Sequence, residues 1–197
     1  MMPTDLSRLR PRRPSLRRRA GIALAVLVAL GVLGLVVPHL TGAKTGLPAV
    51  GAVIPVSQRP PAPDIYGTTL TGQHLNIASL RGAPVVINFW GSWCAPCQAE
   101  APDLARAAAS TSRQGVHFVG IDILDNSAAG LAFDQAHHIT FPSISDPGNL
   151  LAARFGSRAP DTTPSTYILD ARGRIAWAFF GRTQASQLEL ALIRIAG

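Results

Sequence analysis

Two short apolar runs, with an alanine-rich stretch between them, dominate the pattern of the second half of the chain. Residues 85–90 and residues 116–123 are almost entirely apolar, which is typical of strands buried on both faces of a sheet. The alanine-rich stretch predicts a helix that ends near residue 113 and is kinked at Pro102. The pattern therefore predicts a strand, a helix and a second strand in succession.

The other elements are predicted from turn residues and from helical periodicity. They are a hairpin, two helices, a second hairpin and a last amphipathic helix, at residues 68–77, 128–138, 149–155, 165–180 and 188–195 respectively. A strand-helix-strand order followed by a terminal hairpin and helix predicts an α/β fold. We expect a three-layer sandwich, with a central sheet of mixed strand direction and helices on both faces.

The N-terminal part of the chain has a different pattern. Residues 20–37 form an uncharged apolar run, and 18 helical residues span roughly 27 Å, close to the hydrocarbon thickness of a bilayer. Residues 1–19 carry seven arginines and one aspartate. The positive-inside rule places this basic arm in the cytoplasm and the rest of the chain outside. We predict a single-pass anchor in the cell membrane; a cleaved signal peptide is the alternative.

The proline content divides the rest of the chain into a predicted linker and a predicted folded domain, and the charge distribution limits the partners of that domain. Residues 38–60 are rich in proline and glycine and predict an extended linker before a folded domain at residues 61–197. The arm accounts for +6 of the formal net charge of +7, so the remainder of the chain carries only +1. A nucleic-acid-binding domain would carry its own basic face, and nucleic acid is therefore not an expected partner.

Cys94 and Cys97 are the two cysteines of the chain, and they stand at the start of the predicted central helix. Cys94 lies where the helix dipole and free backbone N–H groups favour a thiolate, the nucleophile of disulfide exchange. A fixed disulfide would close a very short loop and add little stability. The histidines show no zinc-ligand spacing with the pair. Redox use is favoured over a structural disulfide or a metal site.

A longer set of motifs surrounds the cysteines. Residues 88–97 read Asn-Phe-Trp-Gly-Ser-Trp-Cys-Ala-Pro-Cys, Glu100 and Pro102 follow, and residues 163–170 read Thr-Pro-Ser-Thr-Tyr-Ile-Leu-Asp; Ala-Pro-Asp at residues 62–64 fits the entry to the domain. On these motifs the chain resembles the thioredoxin superfamily, and within it the membrane-anchored, extracytoplasmic TlpA/ResA-like thiol–disulfide oxidoreductases. The resemblance implies a thioredoxin-like fold and an enzyme with no cofactor beyond its redox-active disulfide.

The resemblance also implies roles for individual residues. Cys94 is expected to be the attacking thiol, partly exposed, and Cys97 the more buried resolving thiol. Pro164 is expected to be a cis-proline facing the disulfide, which leaves the Thr163 backbone free to pair with a substrate strand. An ordinary trans proline is the alternative. Trp93 is expected to be exposed beside Cys94 and to offer an apolar contact to the substrate.

Glu100 lies three residues after Cys97, about 60° around the helix axis, so it could sit beneath the disulfide. A half-buried carboxyl there would have a raised pKa and could exchange a proton with Cys97 through water. The alternative is a surface glutamate placed favourably near a helix N-terminus. Asn88 stands where thioredoxin has a buried aspartate, which by resemblance leaves the proton role to Glu100.

The function implied is the reduction of disulfides in extracytoplasmic proteins, with apocytochrome c before haem attachment as the substrate suggested by resemblance. A transmembrane thiol carrier would supply the electrons. The same dithiol could instead form disulfides, because direction depends on potential and partner. A copper metallochaperone is a weaker alternative, since the cysteine spacing differs and no histidine lies near Pro164. A peroxidase would need a different cysteine motif.

Overall fold

The computed structural model describes residues 51–196. The predicted arm at residues 1–19, the predicted anchor at residues 20–37 and the first part of the predicted linker lie outside this range. Among residues 51–196, no helix is both long enough and apolar enough to cross a membrane.

Seven strands, four α-helices and four short 3₁₀ helices form the described part. The strands are β1 (Tyr66–Thr68), β2 (His74–Asn76), β3 (Val85–Trp90), β4 (His117–Ile123), β5 (Ser143–Asp146), β6 (Ser165–Leu169) and β7 (Ile175–Phe180). The helices are α1 (Ala95–Thr111), α2 (Ser127–Ala136), α3 (Leu150–Ala153) and α4 (Ala185–Ala196). β1 and β2 form a separate antiparallel hairpin.

A five-stranded sheet of mixed direction is the centre of the fold, in the order β5-β4-β3-β6-β7. β3 runs parallel to β4 and antiparallel to β6, while β5 runs parallel to β4 and β7 antiparallel to β6. All six residues of β3 are buried, as the apolar run predicts for a central strand covered on both faces. The thioredoxin-like α/β fold with a mixed sheet is therefore confirmed.

The side chains of β3 alternate between two apolar layers. Ile87 and Phe89 pack into a core with α3 and the segment before β1, whereas Val86 packs under α1 and α4. Trp90 faces the same side as Val86 and contacts Phe133 of α2, with the two ring centroids 4.3 Å apart. The long helices α1, α2 and α4 thus cover one face, and α3 covers the other.

Two parts of the fold differ from the sequence-based expectation. β5 was not predicted, because its four residues carry a single large apolar side chain and its burial comes from pairing with β4. Residues 51–60, assigned to the linker, lie on the sheet. The N–H groups of Gly51 and Ile54 donate to the carbonyls of Ala178 and Ala176 on the edge strand β7, at 2.9 and 2.8 Å. Ile54 is buried, so the folded part begins before residue 61.

Candidate active site

Cys94 and Cys97 lie where β3 has ended and α1 begins, on the face of the sheet covered by the long helices. Cys94 is the N-cap residue of α1, and Cys97 lies in its first turn, with Pro96 between them where a missing N–H costs no helical hydrogen bond. The two cysteines form a disulfide. The Cys97 N–H donates to Cys94 Sγ at 3.2 Å and also to the Cys94 carbonyl at 3.0 Å, so a backbone donor of the helix terminus points at this sulfur.

The disulfide is covered in this structure. Cys94 is 4% exposed and Cys97 2% exposed, so the expectation of a partly exposed Cys94 is wrong for the disulfide state. The reason is a loop 69 residues further along the chain, in which the Thr163 carbonyl oxygen lies 3.6 Å from Cys94 Sγ. Trp93, the neighbouring residue, is 54% exposed, as predicted.

The loop over the disulfide contains Pro164, and the Thr163–Pro164 peptide bond is cis, as the resemblance implied. The Gly181 N–H donates to the Pro164 carbonyl at 2.8 Å, and the Ser165 hydroxyl donates to the Thr162 carbonyl at 2.6 Å. Among residues 51–196, the Thr163 N–H donates to no backbone carbonyl. The loop therefore brings the Thr163 backbone next to Cys94 Sγ.

The loop before Cys94 is held by contacts to the end of β4. The Trp93 indole N–H donates to the Ile123 carbonyl at 3.2 Å, and the Ser92 N–H donates to an Asp125 carboxylate oxygen at 2.8 Å. Glycine at residue 91 gives room for this arrangement, since a Cβ there would lie 2.5 Å from the Trp93 indole nitrogen and would displace the ring. Burial opposes ionisation of Asp125, but hydrogen bonds from Ser92 and Asn126 hold its pKa below the ordinary value.

Glu100 is fully buried, which excludes the surface alternative. Its Oε1 accepts from the Thr183 N–H at 2.7 Å and from the Thr183 hydroxyl, and its Oε2 accepts from Asn88 Nδ2 at 3.2 Å. Asn88 also donates to the Thr166 hydroxyl at 3.0 Å, so the carboxyl lies at the end of a buried polar chain. Burial raises the pKa of Glu100, while the donors on Thr183 and Asn88 and the charge of Arg182 oppose the rise.

Cys97 lines a pocket between α1, α2 and the sheet. The pocket is also lined by Asn88, Trp90 and Asp134, and by the apolar residues Ala101, Leu104, Phe133, Ile139 and Phe141. Asp134 Oδ1 is buried without a hydrogen-bond partner in the described residues, and burial raises the pKa of Asp134 to about 7. Nothing in the local sequence of α2 marks Asp134, which sequence reasoning missed.

A second buried carboxyl, that of Asp122, lies beneath α2. Asp122 is fully buried, and neither of its oxygens has a hydrogen-bond partner within the described part of the chain. It faces Gly130, where a Cβ would lie 2.4 Å from Asp122 Oδ2. Burial, together with the nearby Asp125 and Asp134, raises the pKa of Asp122 to about 8. The sequence does contain a signal for this site, because Asp122 is a charged residue within the apolar run of β4.

The geometry places Cys94, Cys97, Thr163, Pro164 and Trp93 together. Two sulfurs at a helix N-terminus can open to thiols, and a thiolate formed on Cys94 would be stabilised by the Cys97 N–H. The Thr163 backbone and an exposed indole lie beside them, where a polypeptide bearing a disulfide could bind. The arrangement can therefore carry out thiol–disulfide exchange.

Comparison with known proteins agrees with this chemistry. Residues 59–178 match the AhpC/TSA family. The thiol-disulfide oxidoreductase ResA of Bacillus cereus is 28% identical over 128 residues, which cover 65% of this chain and 72% of ResA. The thiol:disulfide interchange protein DsbE of Pseudomonas aeruginosa is 34% identical over 122 residues, covering 61% of this chain and 64% of DsbE.

The solved structures that this chain resembles are also those of thiol–disulfide proteins. A DsbF homologue from Corynebacterium diphtheriae aligns with a TM-score of 0.67 and 29% identity, covering 78% of this chain and 95% of that protein. A secreted disulfide oxidoreductase of Mycobacterium tuberculosis, described as homologous to DsbE of E. coli, aligns with a TM-score of 0.56 and 34% identity, covering 67% and 94%.

Proposed function

The chain belongs to the AhpC/TSA family and is a thiol–disulfide oxidoreductase of the ResA/DsbE type, and we propose that it is a membrane-tethered reductant of disulfides in extracytoplasmic proteins. The apolar run at residues 20–37 supports the tether, and the similar M. tuberculosis protein is described as secreted. A transmembrane thiol carrier would return electrons to the oxidised site.

In the proposed reaction the Cys94 thiolate attacks one sulfur of the substrate disulfide and releases the other as a thiolate. Cys97 then loses its proton, attacks Cys94 Sγ and releases the second substrate thiolate, which closes the Cys94–Cys97 disulfide. Two electrons pass from the enzyme to the substrate. Thr163 and Trp93 bind the substrate, through the backbone of Thr163 and the exposed indole of Trp93.

The surroundings of Cys94 Sγ support the reductive direction. Among residues 51–196, one hydrogen-bond donor reaches this sulfur, the Cys97 N–H, while the Thr163 carbonyl oxygen lies 3.6 Å away. A carbonyl oxygen disfavours negative charge on a neighbouring atom. A thiol–disulfide enzyme is strongly oxidising when its reduced form is stabilised, so a thiolate that is stabilised by one donor and opposed by a carbonyl oxygen favours a reductant.

The redox state of the full chain in growing cells tests the direction. Free thiols are capped with a maleimide of known mass after acid quenching, and the Cys94→Ala/Cys97→Ala double variant marks the position of the uncapped protein. We expect both cysteines to be mostly reduced. A predominantly oxidised pair would reverse the assignment and favour an enzyme that forms disulfides.

Trapping of covalent complexes tests the substrate class. In a Cys97→Ala variant the mixed disulfide on Cys94 cannot be resolved, so complexes with substrate proteins should accumulate and be identifiable by mass spectrometry. We expect apocytochrome c among them, and no complexes in a Cys94→Ala variant. Complexes trapped by Cys94→Ala instead would exchange the two roles, and a set without apocytochrome c would exclude it as the substrate.

A further inference from the structure

The pocket beside Cys97 is lined by the carboxyl of Asp134, which has no role in the proposed reaction. Asp134 of α2 and Cys97 of α1 line the same pocket, together with Asn88. The remaining walls of the pocket are aromatic and aliphatic, and the ring of Phe133, the residue before Asp134, packs against Trp90. A carboxyl in such surroundings is desolvated, which raises its pKa, so both its carboxylate and its protonated form are populated near neutral pH.

The two carboxyls close to the cysteines differ in their hydrogen bonds. Glu100 accepts three hydrogen bonds, two from Thr183 and one from Asn88. Asp134 Oδ1 is buried and accepts none from any described residue. Asp134 therefore has an oxygen that is free to accept a proton from the pocket.

Asp134 also lines a larger surface pocket. The polar residues Thr71, Gln73, Gln135 and Thr140, all exposed, line this second pocket. Ile139 and Phe141 are shared by the two pockets, so Asp134 lies at the boundary between the space beside Cys97 and the solvent. A proton taken up by Asp134 could leave on this outer side.

We propose that Asp134 accepts the proton of Cys97 through water in the shared pocket and releases it to solvent. In this step Cys97–SH and the Asp134 carboxylate become the Cys97 thiolate and the carboxylic acid, and the thiolate then attacks Cys94 Sγ and displaces the substrate sulfur as a thiolate. Asp134 loses the proton to bulk water before the next cycle. The inference rests on the proposed role of Cys97 as resolving thiol. It makes Asp134 a second proton acceptor for Cys97, in addition to Glu100.

Several other titratable groups lie near Asp134 and can affect its pH dependence. Asp122 lies near Asp134 on β4, and Cys97 of α1 lines the same pocket. Glu100 is hydrogen-bonded to Asn88, which also lines that pocket. The two histidines at residues 137 and 138 follow Asp134 at the end of α2. Residues 69–73 and 139–143, which line the outer pocket, contain no titratable side chain. Asp122 is thus the carboxyl whose ionisation would oppose that of Asp134 directly.

Reaction of the reduced full chain with an aromatic disulfide that releases a coloured thiol separates the two steps. Attack by Cys94 releases the first coloured thiol, and resolution by Cys97 releases the second. For Asp134→Asn we expect an unchanged first phase and a second phase slowed at least about tenfold at neutral pH. The rise of the second-phase rate around pH 7 should also disappear, and Asp134→Glu should restore it.

Glu189→Gln is the matched control, because it removes a partly exposed carboxylate of α4 that accepts from Ser110 and does not line the pocket. A second phase of Asp134→Asn with the rate and pH profile of the unmodified protein would overturn the inference, as would a loss in the control equal to that in Asp134→Asn. Absence of both phases in the unmodified protein would instead contradict the proposed function itself.

Discussion

At the scale of single residues, Glu100 is the group whose surroundings depart most from those of an ordinary glutamate. It is fully buried, and its three hydrogen bonds come from Thr183 on the loop before α4 and from Asn88 on β3. Burial nevertheless raises its pKa, so the desolvation of the carboxylate outweighs its donors. A carboxyl in this state can hold a proton at a pH where a surface glutamate has lost it.

We predict that Glu100→Gln slows the reduction of a protein disulfide on the order of tenfold or more at neutral pH. Glutamine can still accept from Thr183, and the Asn88 amide can turn to accept from it, but glutamine cannot take up a proton. The thermal unfolding temperature should therefore change little. The plot of activity against pH should lose the titration step that reports the ionisation of Glu100.

Thr183→Val provides a second variant at the same site. It removes the hydroxyl donor to Glu100 and keeps the backbone N–H at 2.7 Å. Because that hydroxyl lowers the pKa of Glu100, its loss should raise the pKa further and move the step to higher pH. A step at the same pH in Thr183→Val, or one that persists in Glu100→Gln, would contradict a proton role for Glu100.

At the scale of elements, the packing of α2 on β4 encloses Asp122. The carboxyl is fully buried against Gly130 and has no hydrogen-bond partner within residues 51–196. Its pKa is about 8 in the folded protein and 3.8 in an unfolded chain. The folded state therefore keeps a proton that the unfolded state releases, and stability is lost as the pH rises through this range.

We predict that the free energy of unfolding falls between about pH 4 and pH 8, by up to about 1.4 kcal/mol for each pH unit from Asp122 alone. In Asp122→Asn this contribution is absent, so the variant should be more stable than the unmodified protein near pH 8. Urea unfolding at several pH values measures the slope. Asp103→Asn, which changes a partly exposed carboxylate that pairs with Arg106 on α1, should keep this slope. Equal slopes in the unmodified protein and Asp122→Asn would show that Asp122 is not the group responsible.

Elements with a strong local signal were predictable, and elements that depend on a neighbour were not. The apolar run of β3 and the cysteine pair at the start of α1 carry their own pattern. β5 has the sequence Ser-Ile-Ser-Asp and becomes a strand only because β4 offers an unpaired edge. Ile54 lies among prolines, and its burial against β7 depends on a strand more than a hundred residues away.

The same distinction applies to the site. Cys94, Cys97 and Pro164 lie in motifs that can be read locally, and the structure brings them together. The cover over Cys94 comes from Thr163, in a distant loop, and no local pattern could indicate that the sulfur is buried. Asp134 was missed for the same reason, since its place in the pocket follows from how α2 packs beside α1.

At the scale of the whole molecule, the length of the tether limits where the disulfide can act. Because residues 51–60 pack on the sheet, only residues 38–50 remain between the proposed anchor and the folded domain. Thirteen residues span at most about 45 Å when fully extended. We infer that the domain works close to the membrane surface, which fits an electron donor within the membrane.

We predict that the full chain stays with the membrane fraction after a high-salt wash and that a variant lacking residues 1–37 does not. On intact cells, a membrane-impermeant maleimide should label the reduced cysteines, because the positive-inside rule places the domain outside. The Cys94→Ala/Cys97→Ala variant should remain unlabelled. A mature protein that begins after residue 37 would show instead that residues 20–37 are a cleaved signal peptide.

Anchoring also predicts a difference in redox state. If the electron donor lies in the membrane, a domain released outside the cell behind a cleavable signal should keep its exchange activity in vitro, because Cys94, Cys97 and their surroundings lie within residues 51–196. It should nevertheless accumulate as the disulfide in cells, since it meets the donor less often than a tethered domain does. A released domain as reduced as the anchored one would show that the tether has no part in electron supply.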